Sequence, residues 1–311
     1  MKRRLAAGVL VLASLAACSA TPSGVGPAGS VGSAPPASPG RPSATPSAPP
    51  GIQHPTGPTQ LVLRVDTDGG FVAPGWLLTH VPGFSLYGDG RVVTVGPQIM
   101  IYPGPALPSL VETRLTEAGI QAVLRAARDA GLFGADRNLP LEGIADAPTT
   151  TFRLVAGGGT HVTSAYALGT DQPAPDPSAP DAIARRLLAD LQAKLANLPA
   201  LVGAGQLTAE SQYMFSGLRV YVDPYQPPQS TDLPAQSPMA WPGPSLATAG
   251  TPVSNQRGRR CVVVEGAHLQ AILPAVRASN ALTPWTSGGT TWSLRLRPLL
   301  PDESGCGTAG A

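Results

Sequence analysis

The chain has little charge of either sign and few aromatic side chains. Of its 311 residues, 13% are Asp, Glu, Lys or Arg and 5% are Phe, Trp or Tyr. The formal net charge is +2, but Lys2, Arg3 and Arg4 stand at the very start, and without them 18 basic residues face 19 acidic ones. Non-specific binding to nucleic acid requires many uncompensated cations, so we expect no nucleic-acid partner. The one basic cluster, Arg257 to Arg260, is predicted to be a solvated loop.

The sequence also lacks the common catalytic and metal-binding motifs. It contains no G-x-S-x-G, S-x-x-K or H-E-x-x-H, and no two of its histidines are spaced i, i+4. The glycines at 157–159 are not followed by the lysine of a phosphate-binding loop. The stretch 66–70 begins like a calcium loop, but Gly70 and Leu77 occupy its fifth and twelfth positions, where oxygen ligands are needed. The sequence therefore predicts no catalytic residue, no metal ligand and no cofactor.

The apolar run near the start is too short to cross a bilayer. It covers residues 5–17 and follows the charged residues 2–4, whereas a membrane-spanning helix needs about 20 residues. This order is typical of a signal peptide. The run ends in Leu-Ala-Ala-Cys at 15–18, which resembles the lipobox of bacterial lipoproteins, whose cysteine is diacylated.

That resemblance implies a signal peptide over 1–17 and a lipid on Cys18 that anchors the protein to the outer face of the cytoplasmic membrane. Two acyl chains bind a membrane durably. The alternative is an ordinary cleaved signal with a chance cysteine. Both interpretations predict export.

Residues 18–58 are predicted to be a disordered tether behind the lipidated cysteine. Between residues 19 and 58, 11 of 40 residues are proline and most others are Gly, Ser, Ala or Thr. Such a segment cannot bury enough apolar surface to offset its ordering entropy.

The remaining chain predicts an α+β fold: antiparallel sheets built from hairpins, with helices packed on one face. We divide it into an N-terminal α+β part, 59–205, and a C-terminal α+β part, 206–311, interrupted by a Pro-rich surface excursion at 223–256. The signals are two glycine-centred hairpin turns, strands of alternating polarity, and three helices. The first is predicted to begin after Thr116 as its N-cap and to end at Gly131, and the second to run over 181–198. The third is predicted from its buried stripe, which is Leu269, Ile272, Leu273 and Val276.

The alternating patterns also assign faces to particular side chains. Leu61, Leu63 and Val65 are expected to share one face of their strand. In the hairpin that turns at 157–159, the predicted inward side chains of the second arm are Val162, Tyr166 and Leu168, with His161 outward. Ile183 and Leu187 are placed on the buried stripe of the helix at 181–198. Arg295 and Arg297 are expected to point outward from the last strand.

The two cysteines that remain after Cys18, Cys261 and Cys306, are predicted to form a disulfide. An even pair in an exported chain favours this bond. A metal or catalytic thiol is the alternative, but no C-x-x-C is present.

Several stretches together resemble uncharacterised lipoproteins of high-GC Gram-positive bacteria. They are the lipobox, the tether, "LYGDGRVV" at 86–93, "LTEAGIQAVLRAARDAGL" at 115–132 and "RPLLPDESGC" at 297–306. The resemblance implies location and general fold, and the group has no established activity.

The function predicted from these features is a non-enzymatic binding or interaction module of the cell envelope. Its partner would be an envelope protein, a wall polymer or a small ligand, besides the membrane that holds its lipid. Tyr221, Tyr225 and Trp241, in or beside the excursion, are the candidate partner contacts, with packing of the loop onto the body as the alternative. A second hypothesis is a cell-wall-associated hydrolase in which carboxylates such as Glu265, Asp302 and Glu303 converge with His268. A third is a structural spacer without a partner.

Overall fold

The structure is a computed structural model that describes residues 51–73, 75–170, 176–227, 236–254 and 256–307. The predicted signal peptide, Cys18 and the tether up to residue 50 lie outside the described residues, as does part of the excursion. The described residues form one compact unit.

The first sheet has the strand order β5-β7-β6-β1-β2-β3-β4-β8, and neighbours pair antiparallel except β5 and β7. Its strands are β1 (Leu61–Gly69), β2 (Phe84–Tyr87), β3 (Arg91–Val95), β4 (Leu110–Arg114), β5 (Arg137–Leu139), β6 (Pro148–Ala156), β7 (Gly159–Tyr166) and β8 (Ser211–Gln212).

The second sheet has the order β10-β13-β14-β9-β12-β11, with β10 and β13 as its parallel pair. Its strands are β9 (Gly217–Pro224), β10 (Met239–Ala240), β11 (Thr251–Pro252), β12 (Arg260–Glu265), β13 (Pro284–Ser287) and β14 (Thr290–Pro298).

Each sheet packs its own helices against one apolar face. The helices are α1 (Trp76–Thr79), α2 (Glu117–Asp129), α3 (Pro180–Leu195), α4 (Leu198–Val202) and α5 (Gly266–Arg277), with a 3-10 turn at Ala204–Gln206. Buried residues of α2 and α3 share one core with β1 and β6, whereas those of α5 share another with β9 and β14. The predicted α+β class is therefore confirmed.

Local signals determine the β2–β3 hairpin and α2. Gly90 turns the hairpin at φ 85°, and a Cβ there would lie 2.3 Å from the Leu115 carbonyl oxygen, so only glycine fits. The Thr116 hydroxyl accepts a hydrogen bond from the Gly119 N–H, as an N-cap should. Gly131, at φ 84°, ends the helix as predicted.

The last residues assigned to the tether, 51–58, contact the folded body. Residues 51–58 belong to the described body: the side-chain amide of Gln121 on α2 bonds the Ile52 backbone at both N–H and carbonyl, at 2.8 Å each. His54 Nε2 lies 3.2 Å from Glu117 of the same helix. These contacts hold the segment on α2 despite its proline content.

Two predicted strand phases are wrong. Leu61 packs on the opposite face from Leu63, because a β-bulge between them sets two residues of β1 against one of β2. In β7 the buried residues are Thr163 and Ala165 rather than Val162 and Tyr166, and His161 pairs with the buried Leu154. The prediction for β7 failed because it assigned the larger side chains to the inner face, whereas the small side chains of Thr163 and Ala165 occupy that face.

The helix predicted over 181–198 is two helices, α3 and α4. Ala184, Leu188 and Leu191 form the buried stripe of α3, whereas Ile183 and Leu187 are partly exposed. Pro199 begins α4 rather than simply ending α3, because proline is tolerated in the first turn.

The C-terminal segment, residues 299–307, joins the two sheets. Asp302 accepts hydrogen bonds from Arg64 (2.8 Å) and the Tyr87 hydroxyl (2.9 Å) on the first sheet. On the second sheet, the sulfur atoms of Cys306 and Cys261 lie 2.03 Å apart, as the predicted disulfide requires. The segment is thus fixed to both sheets.

Two polar groups, one that bonds this segment and one that lies on it, have shifted pKa values. Burial raises the pKa of Tyr213 to about 12, and its hydroxyl donates to the Leu299 carbonyl at 2.9 Å. Burial would raise the pKa of Glu303, but the hydrogen bonds and charge of Arg297 outweigh it and hold that pKa below its ordinary value. Both groups therefore keep the protonation state that their bonds require.

Candidate functional site

A cleft of about 530 Å³ lies where α1, the β3–β4 loop (residues 96–109) and β14 meet. Trp76 and His80 line it from α1, Ile99 from the loop and Arg295 from β14. Its volume is within the range of small-ligand sites, about 300–1,000 Å³. The cleft thus brings aromatic, apolar and charged side chains from distant parts of the chain into one concavity.

The β3–β4 loop is tied down at two places. At its base, the Gly96 N–H donates to the Ser109 carbonyl at 2.9 Å. Further along, the Ala106 N–H donates to Ser279 (3.2 Å), and the Ala281 N–H donates to Gly104 (2.9 Å), next to the end of α5. The loop is therefore held against the second sheet's layer, although it leaves from the first.

Between these two attachments the loop exposes four consecutive apolar side chains, residues 99–102, which we name the apolar tip. Met100 is 95% exposed and Ile99, Ile101 and Tyr102 are each more than half exposed. Single exposed apolar residues are ordinary, whereas a contiguous group marks a surface that meets another molecule. Ile99 also lines the cleft, so the tip forms part of its rim.

Asp66 and His80 form a pair next to the cleft. His80 Nε2 lies 2.6 Å from Asp66 Oδ1 on β1, and both side chains are largely buried. The imidazole lies 4.2 Å from the Trp76 ring, and the backbone carbonyl of His80 accepts from Arg297 Nε at 2.6 Å. The ring is thus held by a hydrogen bond to a carboxylate, by packing against the indole and by the hydrogen-bonded backbone of the same residue.

Arg295 has no hydrogen-bond or ion-pair partner among the described residues, although its side chain is half-buried and Nε has lost all contact with solvent. It packs against Gly75, where a Cβ would lie 2.5 Å from Nε. Gly75 also has φ 81°, so both the space and the backbone conformation at this position favour glycine. The backbone thus makes room for a guanidinium that the described residues leave unpaired.

A second hollow, of about 630 Å³, adjoins the cleft and shares Thr67, Gly83 and Val95 with it. Its apolar lining comes from β1, β2, α3 and α4, with Glu112 and Glu210 as its charged residues. It extends the concave surface onto the helix-covered face of the first sheet. The buried donor without an acceptor, Arg295 Nε, lies at the cleft rather than at this larger hollow.

The candidate partner contacts at Tyr221 and Trp241 are wrong. Tyr221 is 2% exposed and Trp241 7% exposed, and Trp241 packs edge-on against Trp285 at 5.4 Å. The Trp241 indole N–H donates to the Pro244 carbonyl. Tyr225 is partly exposed and remains a prediction. The described part of the excursion is therefore packed on the second sheet, which β10 and β11 extend at its two edges.

The predicted convergence of carboxylates with His268 is also wrong. Glu303 bonds Arg297 at 2.5 and 2.7 Å, and Asp302 bonds Arg64. Glu265 and His268 are exposed at the start of α5 and take no part in these pairs. Arg297, expected to point outward, is 6% exposed because Glu303 neutralises it.

Sequence reasoning missed the site that the structure assembles. Asp66 was considered for calcium, His80 only as one of four histidines, and Arg295 only as an outward residue. One available signal was the i, i+4 spacing of Trp76 and His80, which places two rings on one side of a helical turn. The four apolar residues in succession at 99–102, between two prolines, were another.

Within the described residues, no group of three or more His, Cys, Asp or Glu side chains is placed to hold a metal ion. No helix in this part of the chain has the length and apolar character that crossing a membrane requires.

The comparisons with known proteins returned no match: no family model, no curated protein and no solved structure is significantly similar to this chain.

Proposed function

We propose that the protein is an exported, lipid-anchored binding module of the cell envelope, and that it binds its ligand in the cleft beneath the apolar tip. The anchor is the lipid expected on Cys18, at the end of its lipobox-like stretch. The proposal carries forward the resemblance to lipoproteins of high-GC Gram-positive bacteria. It assigns binding to a site different from the aromatic residues of the excursion.

The observation that carries the binding proposal is the apolar tip. Burying exposed Ile and Met side chains is favourable by about 25 cal/mol per Å², and the chain leaves residues 99–102 in water while anchoring the loop on both sides of them. An anchored loop loses little conformational entropy when it binds. The tip is therefore preorganised for contact with another molecule.

In-cell photocrosslinking tests this proposal. A photoreactive side chain replaces Met100, and the matched control replaces Ile183, an exposed apolar residue on α3. We expect a discrete adduct from position 100 and none from position 183, and adduct formation should fall when Ile99 and Ile101 are changed to Ser. Equal labelling at both positions, or none at position 100, would contradict a binding role for the tip.

The anchor has a separate test. Cys18→Ser should release the protein from the membrane into the medium, as measured by fractionation and immunoblotting. Continued membrane retention of the variant would show that acylation is not the anchor.

A hydrolase is the second candidate, and the Asp66–His80 pair is the observation that favours it. A carboxylate that orients an imidazole is the arrangement of a general base, which could activate water. Purified wall fragments and simple esters are the substrates to test. Turnover that is abolished in His80→Gln would establish this function, and turnover unchanged in that variant would refute it.

A further inference from the structure

Resting on the proposed function, we infer that the cleft binds an anionic amphiphile: a molecule with one carboxylate or phosphate group and an apolar body. The anion would bond the Arg295 guanidinium, and the apolar body would lie against the lining of the cleft and the adjoining hollow.

Arg295 is the group that would bind the anion. A guanidinium remains charged in a protein at any ordinary pH and carries five N–H donors in a planar fork. Burying such a charge without a partner is unfavourable. Nε of Arg295 is nonetheless sealed from solvent and has no acceptor among the described residues. The buried donor without an acceptor is this one N–H, and the side chain as a whole is only partly buried. A carboxylate or phosphate in the cleft would supply an acceptor to Nε and to a neighbouring N–H of the same planar fork.

The carboxylates nearby are already bonded. Asp66 is held by His80 at 2.6 Å, and Glu303 is held by Arg297. Within the described chain no carboxylate stands at ion-pair distance from Arg295. An anion from outside therefore has no internal competitor for this guanidinium, which can bind carboxylate or phosphate through two parallel hydrogen bonds.

The apolar lining of the cleft and the hollow would hold the apolar body of the ligand. Around the charge, the cleft is lined by Trp76, Ile99 and Leu107 and by the prolines of the loop. It continues past Thr67, Gly83 and Val95 into the second hollow, which Phe84, Leu195 and Leu207 help to line. A small hydrophilic anion would leave this surface in contact with water, whereas an amphiphile would cover it.

The test is direct binding to the full chain carrying Cys18→Ser, measured by isothermal titration with octanoate, octyl phosphate and the uncharged octanamide. We expect either charged probe to bind at least tenfold more tightly than octanamide, because a hydrogen bond to a charged group is worth about 10- to 100-fold in affinity. Decanoate should bind about 15-fold more tightly than octanoate, because each buried methylene contributes about fourfold.

Arg295→Gln should reduce the affinity for the charged probes to that for octanamide, while Arg186→Gln, on α3 away from the cleft, should leave it unchanged. Vesicles distinguish the source of the anion. Sedimentation with phosphatidic acid vesicles but not with phosphatidylcholine vesicles, competed by octyl phosphate, would identify a membrane lipid, and binding of the free probes alone would identify a soluble amphiphile.

Three results would overturn the inference: no binding of either charged probe, equal binding of octanamide, or unchanged binding in Arg295→Gln. The first two need no variant, so a folding defect cannot obscure them. Crosslinking at Met100 that persists after such a result would leave the proposed binding function intact and refute only this ligand class.

Discussion

Two arginines of β14 stand two residues apart on the same side of one strand and have opposite surroundings. Arg297 is 6% exposed, bonds both carboxylate oxygens of Glu303 and donates to the His80 carbonyl. Arg295 is only partly buried, but its Nε is sealed from solvent and has no partner among the described residues. Since both share a strand and a side-chain type, the difference lies in what faces them: the C-terminal segment for Arg297 and the cleft for Arg295.

The difference shows how a charge that stabilises the fold can be distinguished from a charge that is available to a ligand. The partner of Arg297 comes from the same polypeptide, six residues further along, so its ion pair forms whenever the protein folds. An arginine left unpaired instead raises the energy of the unliganded state, and a ligand that supplies the anion recovers that energy. Perturbed or unsatisfied charges in a cleft are for this reason candidate binding groups.

The largest expected effect is on the disulfide, because it holds the segment that neutralises Arg297. The Cys261–Cys306 bond closes a sequence separation of 45 residues, for which the chain-entropy model gives about 4 kcal/mol of stability. We expect the double variant Cys261→Ser, Cys306→Ser to lose about that much free energy of unfolding in urea. If the loss stays below about 1 kcal/mol, the segment is held mainly by its other contacts.

A smaller but still large loss is expected from Arg297→Met. The change leaves Glu303 buried without its cation, and breaking a buried ion pair in this way costs about 3 kcal/mol or more. Urea unfolding monitored by tryptophan fluorescence measures it. The double variant Arg297→Met, Glu303→Leu removes both charges and should recover most of the loss. Failure to recover would mean that the bond to the His80 carbonyl, rather than the ion pair, dominates.

Features determined by neighbouring residues could be predicted from the sequence. The β2–β3 turn, the Thr116 cap, the end of α2 at Gly131 and the buried stripe of α5 each depend on residues within a few positions of one another. The pairing of Cys261 with Cys306 followed from assigning Cys18 to the lipid, which left two cysteines in a chain predicted to be exported. These parts of the fold were accessible because local sterics and hydrogen bonds decide them.

The candidate site could not be predicted because no local rule connects its members. Asp66 and His80 are 14 residues apart, and Arg295 reaches them only after both sheets have formed. The alternation of polar and apolar residues in β14 predicted that both its arginines point outward, which assumes water on that side. The C-terminal segment and α1 occupy it instead, and only tertiary structure shows that one arginine is neutralised and the other is not.

Acid should reduce the stability that the Arg297–Glu303 ion pair contributes. The folded protein holds the pKa of Glu303 below its ordinary value, whereas the unfolded chain returns it to about 4.3. The contribution of Glu303 is therefore complete above about pH 4.3 and is lost as pH falls from there through the folded pKa. The free energy of unfolding measured between pH 6 and pH 3 should fall more steeply for the wild type than for Glu303→Gln. Parallel profiles would show that the pair contributes no pH dependence.

The smallest expected effect on stability is that of Arg295→Met. Methionine retains the apolar stem of the side chain and removes a charge that the described residues do not neutralise. The free energy of unfolding should therefore change by no more than about 1 kcal/mol in either direction, and a gain is the expected sign because a buried N–H without an acceptor disappears. Urea unfolding of this variant and of Arg297→Met compares the same substitution at two positions on one side of the same strand.

A loss above about 2 kcal/mol for Arg295→Met would remove the contrast, because it would show that Arg295 is as structural as Arg297. If Arg295→Met leaves the free energy of unfolding unchanged and abolishes binding of octyl phosphate, the contrast between the two arginines is confirmed. One strand would then carry both kinds of charge, and the distinction between them would rest on whether the chain's own C-terminal segment or a separate anion supplies the partner.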